Sequence, residues 1–401
     1  MIGKTTLVSN AVQLKAAAKI AKGGDTILLA PGNYGEFAFS SVRPTGTVTI
    51  KSANPNADAV FRVLTINNSA NLVIEDVDVS RPLVGGVGLN GPAVRVQGST
   101  DINLVGVDVS GSLNGNAWDD GHGLSVTGSN RITVLDSTFR QLDAAAIISR
   151  SSDIVFAGNS ITEVREGVNI SSTTGGLFDR NTIVNMQPNY AAGDHPDAFQ
   201  VHSGGINTAS SDLAFRNNVI LEGTSGPIGG FFIRSERVAA GIEHSNISIE
   251  NNYYQGTYRH GISVGDTNGL VITGNTVIDS AKAGNSTAIT ITNIDGARIE
   301  DNIAQMYLQT NSRGVTMADN VDVWEAKFKV GIAVSQLFAP TSAVGLIDFN
   351  LLNPLSNSVA AATGAGFRST GQIGNLSGST AAMVASYVPQ FDHPFATQLM
   401  G

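Results

Sequence analysis

The chain has 401 residues with 24 basic and 33 acidic side chains, a formal net charge of −9, and no cysteine. Its hydrophobic fraction of 42% is enough for a sizeable core, so global disorder is excluded. The negative charge argues against a nucleic-acid partner, because phosphate binding needs clustered Lys and Arg, and the lack of cysteine excludes disulfides, thiolate catalysis and zinc ribbons.

The first predicted element is an amphipathic helix over residues 10–22, which ends at Gly23. Its apolar positions are Val12, Leu14, Ala18, Ile20 and Ala21. A strand over residues 25–30 follows the helix. Because a stack of strands exposes an unpaired edge at its end, we expect this helix to cap such an edge.

From about residue 48 to residue 317 the sequence repeats one pattern: a short strand, a polar bend, and a second strand that ends near an asparagine. Apolar residues alternate in the first strand of each repeat, as in Val168 and Ile170 or Phe199 and Val201. This period of two indicates strands with one face in a core.

An asparagine recurs at the end of the second strand. The six members are Asn159, Asn181, Asn218, Asn252, Asn275 and Asn302, which stand 22, 37, 34, 23 and 27 residues apart. A repeat of about 22 residues is too short for a strand, a helix and a return, but it fits three short strands with three bends. The pattern predicts a parallel β-helix with stacked, hydrogen-bonded asparagines, and it disfavours the alternative of a β-sandwich.

The repeat ends after residue 321, and residues 355–388 are rich in Ala, Ser, Gly and Thr. We divide the chain into an N-terminal cap with the first strands (residues 1–44), a parallel β-helix (residues 45–320) and a C-terminal segment (residues 321–401). The last segment either caps the final rung, mediates oligomerisation or is flexible. No segment approaches the roughly 18 consecutive apolar residues of a membrane helix, so we expect no membrane insertion.

The stretch from Ala17 to Val63 contains the helix, then GDTILLAPGNY at residues 24–34 and VTIKSA at residues 48–53. It resembles the opening of the chondroitinase B and alginate-lyase branch of the pectate-lyase-like superfamily, and the repeat extends that resemblance along most of the chain. The resemblance implies an all-β fold, a right-handed parallel β-helix. Members of the superfamily include polysaccharide lyases, glycoside hydrolases, mannuronan epimerases and phage tailspikes, so the fold alone does not choose an activity.

Stacked rungs turn the sequence into a map, because residues in one column of successive rungs lie about 4.8 Å apart. The map gathers polar side chains in three columns: Glu166 with Asp197 just before the opening strand, Asn169 with Gln200 within it, and Arg150, His202 and Arg234 towards its end. The two longest rungs lie here. Their loops, residues 186–197 and 222–229, are expected to wall a groove.

The densest motif is YAAGDHPDAFQVH at residues 190–202. It places the carboxylates of Asp194 and Asp197, the imidazoles of His195 and His202 and the phenol of Tyr190 at the mouth of one strand. The functional interpretation is a base, an acid and a binder of a cation or sugar. The structural alternative is a bend fixed by the proline, with the first aspartate capping the turn.

The first chemistry that fits these groups is β-elimination in a uronate-containing polysaccharide. The sugar carboxylate must be neutralised so that a base can remove the C5 proton while an acid protonates the leaving oxygen. The candidates are His202 or His195 as base, Tyr190 or Tyr258 as acid, and Arg150 or Arg234 for the carboxylate, with Arg234 as an alternative base.

The carboxylates allow two further interpretations. Ca²⁺ held by Glu166, Asp194 and Asp197 can neutralise the uronate in place of an arginine, and calcium is the one cofactor predicted. Alternatively, Glu166 and Asp197 act as the pair of a retaining glycoside hydrolase, whose carboxyl groups lie about 5 Å apart.

The sequence departs from the family pattern in two places. No lysine lies between Lys51 and Lys282. The chondroitinase B and alginate-lyase branch uses a lysine as base in its central rungs, so that residue is not carried over. The epimerase motif has Tyr followed by Asp-Pro-His, whereas residues 194–197 read DHPD here. Uronate epimerisation therefore stays only as an alternative activity.

Other candidates flank these columns. Trp118, beside two aspartates, suits stacking on a sugar, and the run Tyr258, Arg259 and His260 suits a chain of sugars. The alternatives are a tryptophan that covers the core and a loop that packs on itself. His244 stands apart from the other polar candidates and is predicted to lie at the surface.

The leading hypothesis is an enzyme that cleaves an acidic polysaccharide. One alternative is a phage tailspike or surface adhesin that binds bacterial polysaccharide, with glycoside hydrolase activity or none; another is a purely structural solenoid. The first residues, Met1 to Leu7, show no classical signal peptide, which suits a homotrimer assembled into a virion. The expected partner is a polysaccharide, and the expected location is extracellular or the virion surface.

Overall fold

The computed structural model describes residues 3–83, 91–205, 208–280, 287–323, 337–338 and 352–369. The chain divides into two compact units, which we call unit 1 and unit 2, with described residues 3–165 and 166–369 respectively. Most of the C-terminal segment predicted at residues 321–401, including all of residues 370–401, lies outside the described residues. In the described ranges, no helix has the length and apolar character needed to cross a membrane.

Unit 1 contains helix α1 (Ala11–Ile20). The side chain of Asn10 caps its first turn, as expected of an asparagine in this position. The predicted helix is confirmed, but it ends before Gly23 because the residue after Ile20 is already extended. Its buried face is also narrower than predicted, since only Leu14 and Ala18 are buried.

The rest of unit 1 consists of short strands that pair in parallel with the strand one rung away. The strands are β1 (Thr5–Val8), β2 (Thr26–Leu29), β3 (Gly32–Ser40), β4 (Val48–Ser52), β5 (Ala59–Asn67), β6 (Ala70–Ser80), β7 (Val94–Gln97), β8 (Thr100–Ser110), β9 (Leu124–Thr127), β10 (Asn130–Leu135), β11 (Thr138–Arg140), β12 (Ala144–Ser149), β13 (Ser152–Ala157) and β14 (Ser160–Thr162). Sheet 1 runs β3–β5–β7–β9–β12, sheet 2 runs β1–β2–β4–β6–β8–β10–β13, and sheet 3 runs β5–β6–β8–β11–β14.

Unit 2 repeats the same three-sheet arrangement. Its strands are β15 (Glu166–Ser171), β16 (Thr174–Asp179), β17 (Thr182–Val184), β18 (Asp197–His202), β19 (Ser211–Arg216), β20 (Val219–Leu221), β21 (Gly229–Ile233), β22 (His244–Glu250), β23 (Tyr253–Gly256), β24 (His260–Thr273), β25 (Thr276–Asp279), β26 (Ala288–Glu300), β27 (Ile303–Ala304), β28 (Tyr307–Thr310), β29 (Arg313–Ala318) and β30 (Val321–Asp322), with a short helix α2 (Val359–Thr363). Sheet 1 runs β15–β18–β21–β24–β26–β28, sheet 2 runs β16–β19–β22–β24–β26–β29, and sheet 3 runs β17–β20–β23–β25–β27–β30. Each rung contributes parallel strands to three sheets, which confirms the predicted all-β parallel β-helix.

Asparagine side chains form a buried ladder at the bend between sheets 2 and 3 of unit 2. From Asn218 to Asn320, each side-chain oxygen accepts hydrogen bonds of 2.8–3.1 Å from the backbone N–H and the Nδ2 of the asparagine one rung earlier. The members are Asn181, Asn218, Asn252, Asn275, Asn302 and Asn320. The stacking predicted from the spacing is confirmed within this unit, and Asn320 is an additional member.

Residues 352–369 cover the outer face of sheet 3 in unit 2. The ring of Phe367 lies 5.8 Å from that of Tyr253, and its backbone N–H donates to Oγ1 of Thr276 at 2.9 Å. This cover explains why β20 buries all three of its side chains instead of alternating. The alternating pattern is lost where a second layer of chain removes the solvent from the outer face.

Candidate functional site

Two carboxylates stand side by side where sheet 1 of unit 2 begins. Glu166 and Asp197 are the first residues of β15 and β18. Because Val168 pairs with Phe199, the two acids lie in the same column, with Cα atoms about 4.8 Å apart. Glu166 accepts a hydrogen bond on Oε2 from Nδ2 of Asn169 at 2.9 Å. The structure therefore brings these two predicted acids together.

The Asp197 carboxyl group is buried without a full set of hydrogen bonds. The residue is 3% exposed, and its Oδ1 has no hydrogen-bond partner within the described part of the chain. Burial, followed by the negative charge of Glu166, raises the pKa of Asp197 to about 7. A carboxyl group with this pKa is populated in both protonation states near neutral pH, as a general acid or base requires.

A row of rings lies beside the acid pair. Phe232 stacks on His260 with 5.1 Å between ring centroids, His195 lies 6.4 Å from Phe232, and Tyr258 meets His260 edge-on at 5.1 Å. Half-buried Phe232 follows Gln200 in the outward column of sheet 1. Rings in such positions offer apolar faces to a sugar. Sequence reasoning missed Phe232, and its position carries no specific signal, because the same outward column also holds the apolar residue Leu308.

The same surroundings set the protonation of these groups. Burial, followed by the positive charges of Arg259 and His195, lowers the pKa of His260, so its imidazole is neutral at neutral pH. Burial, followed by the charge of Asp197, raises the pKa of Tyr258, so its phenol keeps its proton. The site thus holds a proton donor and an exposed cation, Arg259, near the acid pair.

The loop before β18 engages its polar side chains locally. The Tyr190 hydroxyl donates to the carbonyl of Pro227. Asp194 Oδ2 accepts a hydrogen bond of 2.5 Å from a backbone N–H of its own loop. In the described ranges, no group of three or more His, Asp or Glu side chains could hold a metal ion, so Asp194 does not form a ligand set with Glu166 and Asp197.

His202 and Arg234 lie at the opposite end of sheet 1. β18 runs from Asp197 to His202, so about 16 Å separates the Cα atoms of these two residues. His202 lies near Glu236. Burial raises the pKa of Glu236, but hydrogen bonds from Ser203 and the charge of the His202 imidazole lower it further than burial raises it. Arg234 pairs through Nε with Oδ2 of Asp266 at 3.3 Å. The predicted site is therefore two separate clusters.

Unit 1 holds the two remaining predicted binding residues. Trp118 lies in a 3₁₀ turn and is 51% exposed, and Arg150 is exposed directly after β12. This unit also contains an ion-pair cluster that sequence reasoning missed. The carboxylate of Asp143 lies 3.1 Å from Nδ1 of His122 and 2.5 Å from a guanidinium nitrogen of Arg165. The three residues of this cluster belong to three successive rungs, so they come together only through the register of the strands.

The surface position predicted for His244 is wrong, because its side chain is fully buried. Its Nδ1 accepts a hydrogen bond from the backbone N–H of Ser210 at 3.0 Å. One rung earlier, the Ser210 hydroxyl accepts in the same way from Thr173 at 3.2 Å. His244 therefore takes the place of a hydroxyl residue in the bend between sheets 1 and 2. Burial lowers its pKa, which keeps it neutral.

Gly229 leaves the space that the Asp197 carboxyl group occupies. A Cβ at this position would lie 2.0 Å from Oδ1 of Asp197, so Gly229→Ala must displace the carboxyl group. We expect at least a tenfold loss of any activity that depends on Asp197, measured as initial rate. Gly204→Ala is the matched control, since its Cβ would lie 3.6 Å from the nearest atom. Equal rates in the two variants would contradict a role for the carboxyl position.

Comparisons with known proteins agree with the three-sheet architecture. Residues 62–235 match the family profile described as "Right handed beta helix region". No curated protein sequence gives a significant match.

Several solved structures are similar at low sequence identity. The chain is 15% identical to an alginate lyase from Paenibacillus sp. str. FPU-7, with a TM-score of 0.44, 70% of this chain and 97% of that chain covered. It is 12% identical to a rhamnogalacturonan lyase, with a TM-score of 0.49, and the match covers 91% of this chain and 99% of that chain. It is 10% identical to ORF18 of Geobacillus virus E2, with a TM-score of 0.38, and the match covers 74% of this chain and 54% of that chain. These likenesses concern the fold only.

Proposed function

We propose that this parallel β-helix chain, whose residues 62–235 match a right-handed β-helix family, cleaves an acidic, uronate-containing polysaccharide by β-elimination at the Asp197 column. The observation that carries the proposal is the buried Asp197 carboxyl group, with an unpartnered Oδ1 in the described part of the chain and a pKa of about 7. Polar groups with such perturbed pKa values are concentrated at functional sites.

Proton transfer follows from the two shifted groups. Ionised Asp197 takes the C5 proton of the uronate, and its raised pKa makes it a stronger base than an ordinary carboxylate. Tyr258 keeps its proton at neutral pH and gives it to the leaving glycosidic oxygen. His202, the alternative base, lies at the other end of β18 and acts in neither step.

Substrate binding uses the groups around the acids. The exposed side chains of Arg259 and His195 bind the uronate carboxylate, which makes the C5 proton more acidic. Phe232 and His260 present stacked ring faces to the sugar. Because Asp197 is 3% exposed, the preceding loop must move to admit the sugar.

A second candidate function is retaining glycoside hydrolysis by the same pair. The observation that favours it is the spacing of one rung between Glu166 and Asp197, which is close to the roughly 5 Å separation of a retaining pair. Half-buried Glu166 then acts as nucleophile, and Asp197, with its raised pKa, acts as the acid.

One assay separates these functions. The full chain is incubated with alginate, polygalacturonate, rhamnogalacturonan and glycosaminoglycans, with a neutral glucan as control. Elimination produces new reducing ends together with the ultraviolet absorbance of unsaturated uronate, whereas hydrolysis produces reducing ends alone. Binding of a polymer without cleavage supports an adhesin, and the absence of new reducing ends on every polymer contradicts both proposed activities.

A further inference from the structure

A cleft of about 640 Å³ lies in unit 1, between helix α1 and the end of strand β3 with the turn that follows. Its size is within the range of roughly 300–1,000 Å³ that small-molecule sites occupy. Three cationic side chains line it, Lys15 and Lys19 from the helix and Arg43 from the turn, and its lining contains no acidic side chain.

The two lysines place like charges on one side of α1. Lys15 and Lys19 are exposed and one helical turn apart, and the sequence of α1 contains no acidic residue. Like charges at this spacing destabilise a helix. The two acids that follow α1 in the sequence have other partners: Asp25 accepts hydrogen bonds from two backbone N–H groups, and Glu36 pairs with Arg62. A bound anion would relieve this repulsion.

Arg43 is held in place by the rungs behind it. Its Nε donates to the carbonyl of Asn68 at 2.8 Å, and one terminal nitrogen donates to the carbonyl of Gly98 at 3.5 Å. The guanidinium group is therefore oriented before any ligand arrives, and such preorganisation lowers the entropic cost of binding. Ser40 and Ser41 add hydroxyl groups to the lining of the cleft.

We propose that this cleft is a second, non-catalytic binding site for an acidic saccharide. Arg43 and the two lysines bind the carboxylate, and the serine hydroxyls bind the sugar hydroxyls. A saccharide suits the lining better than a nucleic acid does, because the cleft presents hydroxyls and small aliphatic side chains but no exposed aromatic ring for base stacking. The site shares its ligand class with the proposed function but not its residues.

Calorimetric titration with short oligouronates tests the proposal. The full chain carries Asp197→Asn, so that the ligand stays intact. We expect the combined change Lys15→Ala and Lys19→Ala to weaken binding at least tenfold, and Arg43→Ala to do the same. Lys22→Ala, which removes a lysine outside the cleft lining, should leave the affinity unchanged. Alanine favours helix, so the two lysine changes in α1 should keep the wild-type circular dichroism spectrum.

The outcomes separate this site from the Asp197 site. Equal affinity of the Asp197→Asn chain with and without the lysine changes, or the same loss in Lys22→Ala, overturns the proposal and leaves the result of the cleavage assay unaffected. Weakened binding in the lysine variants, together with no cleavage of any polymer by the chain that keeps Asp197, supports the cleft and contradicts the proposed function. In a parallel titration, inorganic sulfate that binds as tightly as the oligouronate contradicts a saccharide site, whereas weaker binding of inorganic sulfate supports it.

Discussion

Replacing Asp197 with asparagine is expected to abolish cleavage and, at pH 8, to make the folded chain more stable. The pKa of Asp197 is raised from 3.8 to about 7 by burial and by Glu166. Between these two values the folded state binds more protons at this site than the unfolded state, so stability falls as the pH rises from about 4 to about 7. Asparagine carries no charge, and the variant loses this pH dependence.

The size of the effect follows from the shift. A shift of about 3 pKa units corresponds to about 4 kcal/mol, which is the upper limit of the gain expected for Asp197→Asn at pH 8. Near pH 4 the two proteins should differ little, because the wild-type carboxyl group is protonated there. An activity loss with a stability gain is the signature of a group kept buried for function.

Urea unfolding from pH 4 to pH 8, together with the cleavage assay, measures both halves of this prediction. The control is Asp295→Asn, which removes an exposed carboxylate paired with Arg313. We expect the control to change neither rate nor pH dependence appreciably, since exposed ion pairs contribute little. A wild-type stability that stays flat between pH 4 and pH 7 would contradict the assigned state of Asp197.

Replacing Asn252 with aspartate is expected to destabilise the fold by about 3 kcal/mol or more. The Nδ2 of Asn252 donates to the carbonyls of Phe215 and Glu250 and to Oδ1 of Asn275, at 2.9, 3.1 and 3.0 Å. Aspartate has the same shape but no N–H, so three acceptors would face a carboxylate in a residue that is 1% exposed. Burying an unpaired charge is among the most costly single substitutions.

The matched control is Asn56→Asp, the same chemical change at an exposed residue in a turn. Thermal and urea unfolding of both variants measure the difference. The destabilisation of Asn252→Asp should grow with pH, because only the ionised form leaves a buried charge. If the two variants unfold within about 1 kcal/mol of each other, the ladder does not stabilise the rungs as the hydrogen bonds indicate.

The fold was readable from local pattern because its determinants are periodic. Alternating apolar residues and the spacing of Asn181, Asn218 and Asn252 report the strands and the bend of each rung without reference to distant parts of the chain. The columns of β15 and β18 followed from the same period, and the pairing of Asn169 with Gln200 agrees with it. The column position predicted for Arg150 is wrong, because Thr127 pairs with Ser149 and Arg150 lies one residue beyond β12.

The candidate site was only partly readable, because sequence proximity and spatial proximity differ along a strand. Asp197 and His202 are five residues apart, and their spacing in sequence predicts one site, but an extended strand places them about 16 Å apart. The burial of His244 likewise depended on its place in a column of hydroxyl residues, which a single histidine in the sequence does not reveal.

The sequence by itself determined that this protein is a stack of short parallel strands with acids aligned in one column, since period and spacing are properties of the backbone. Only the tertiary structure decided the burial and the pKa values of those acids. The pKa of Asp197 is set by the solvent that surrounding rungs exclude and by the charge of Glu166 in the adjacent rung. Solvent exclusion is a property of the assembled stack, and no single rung carries it.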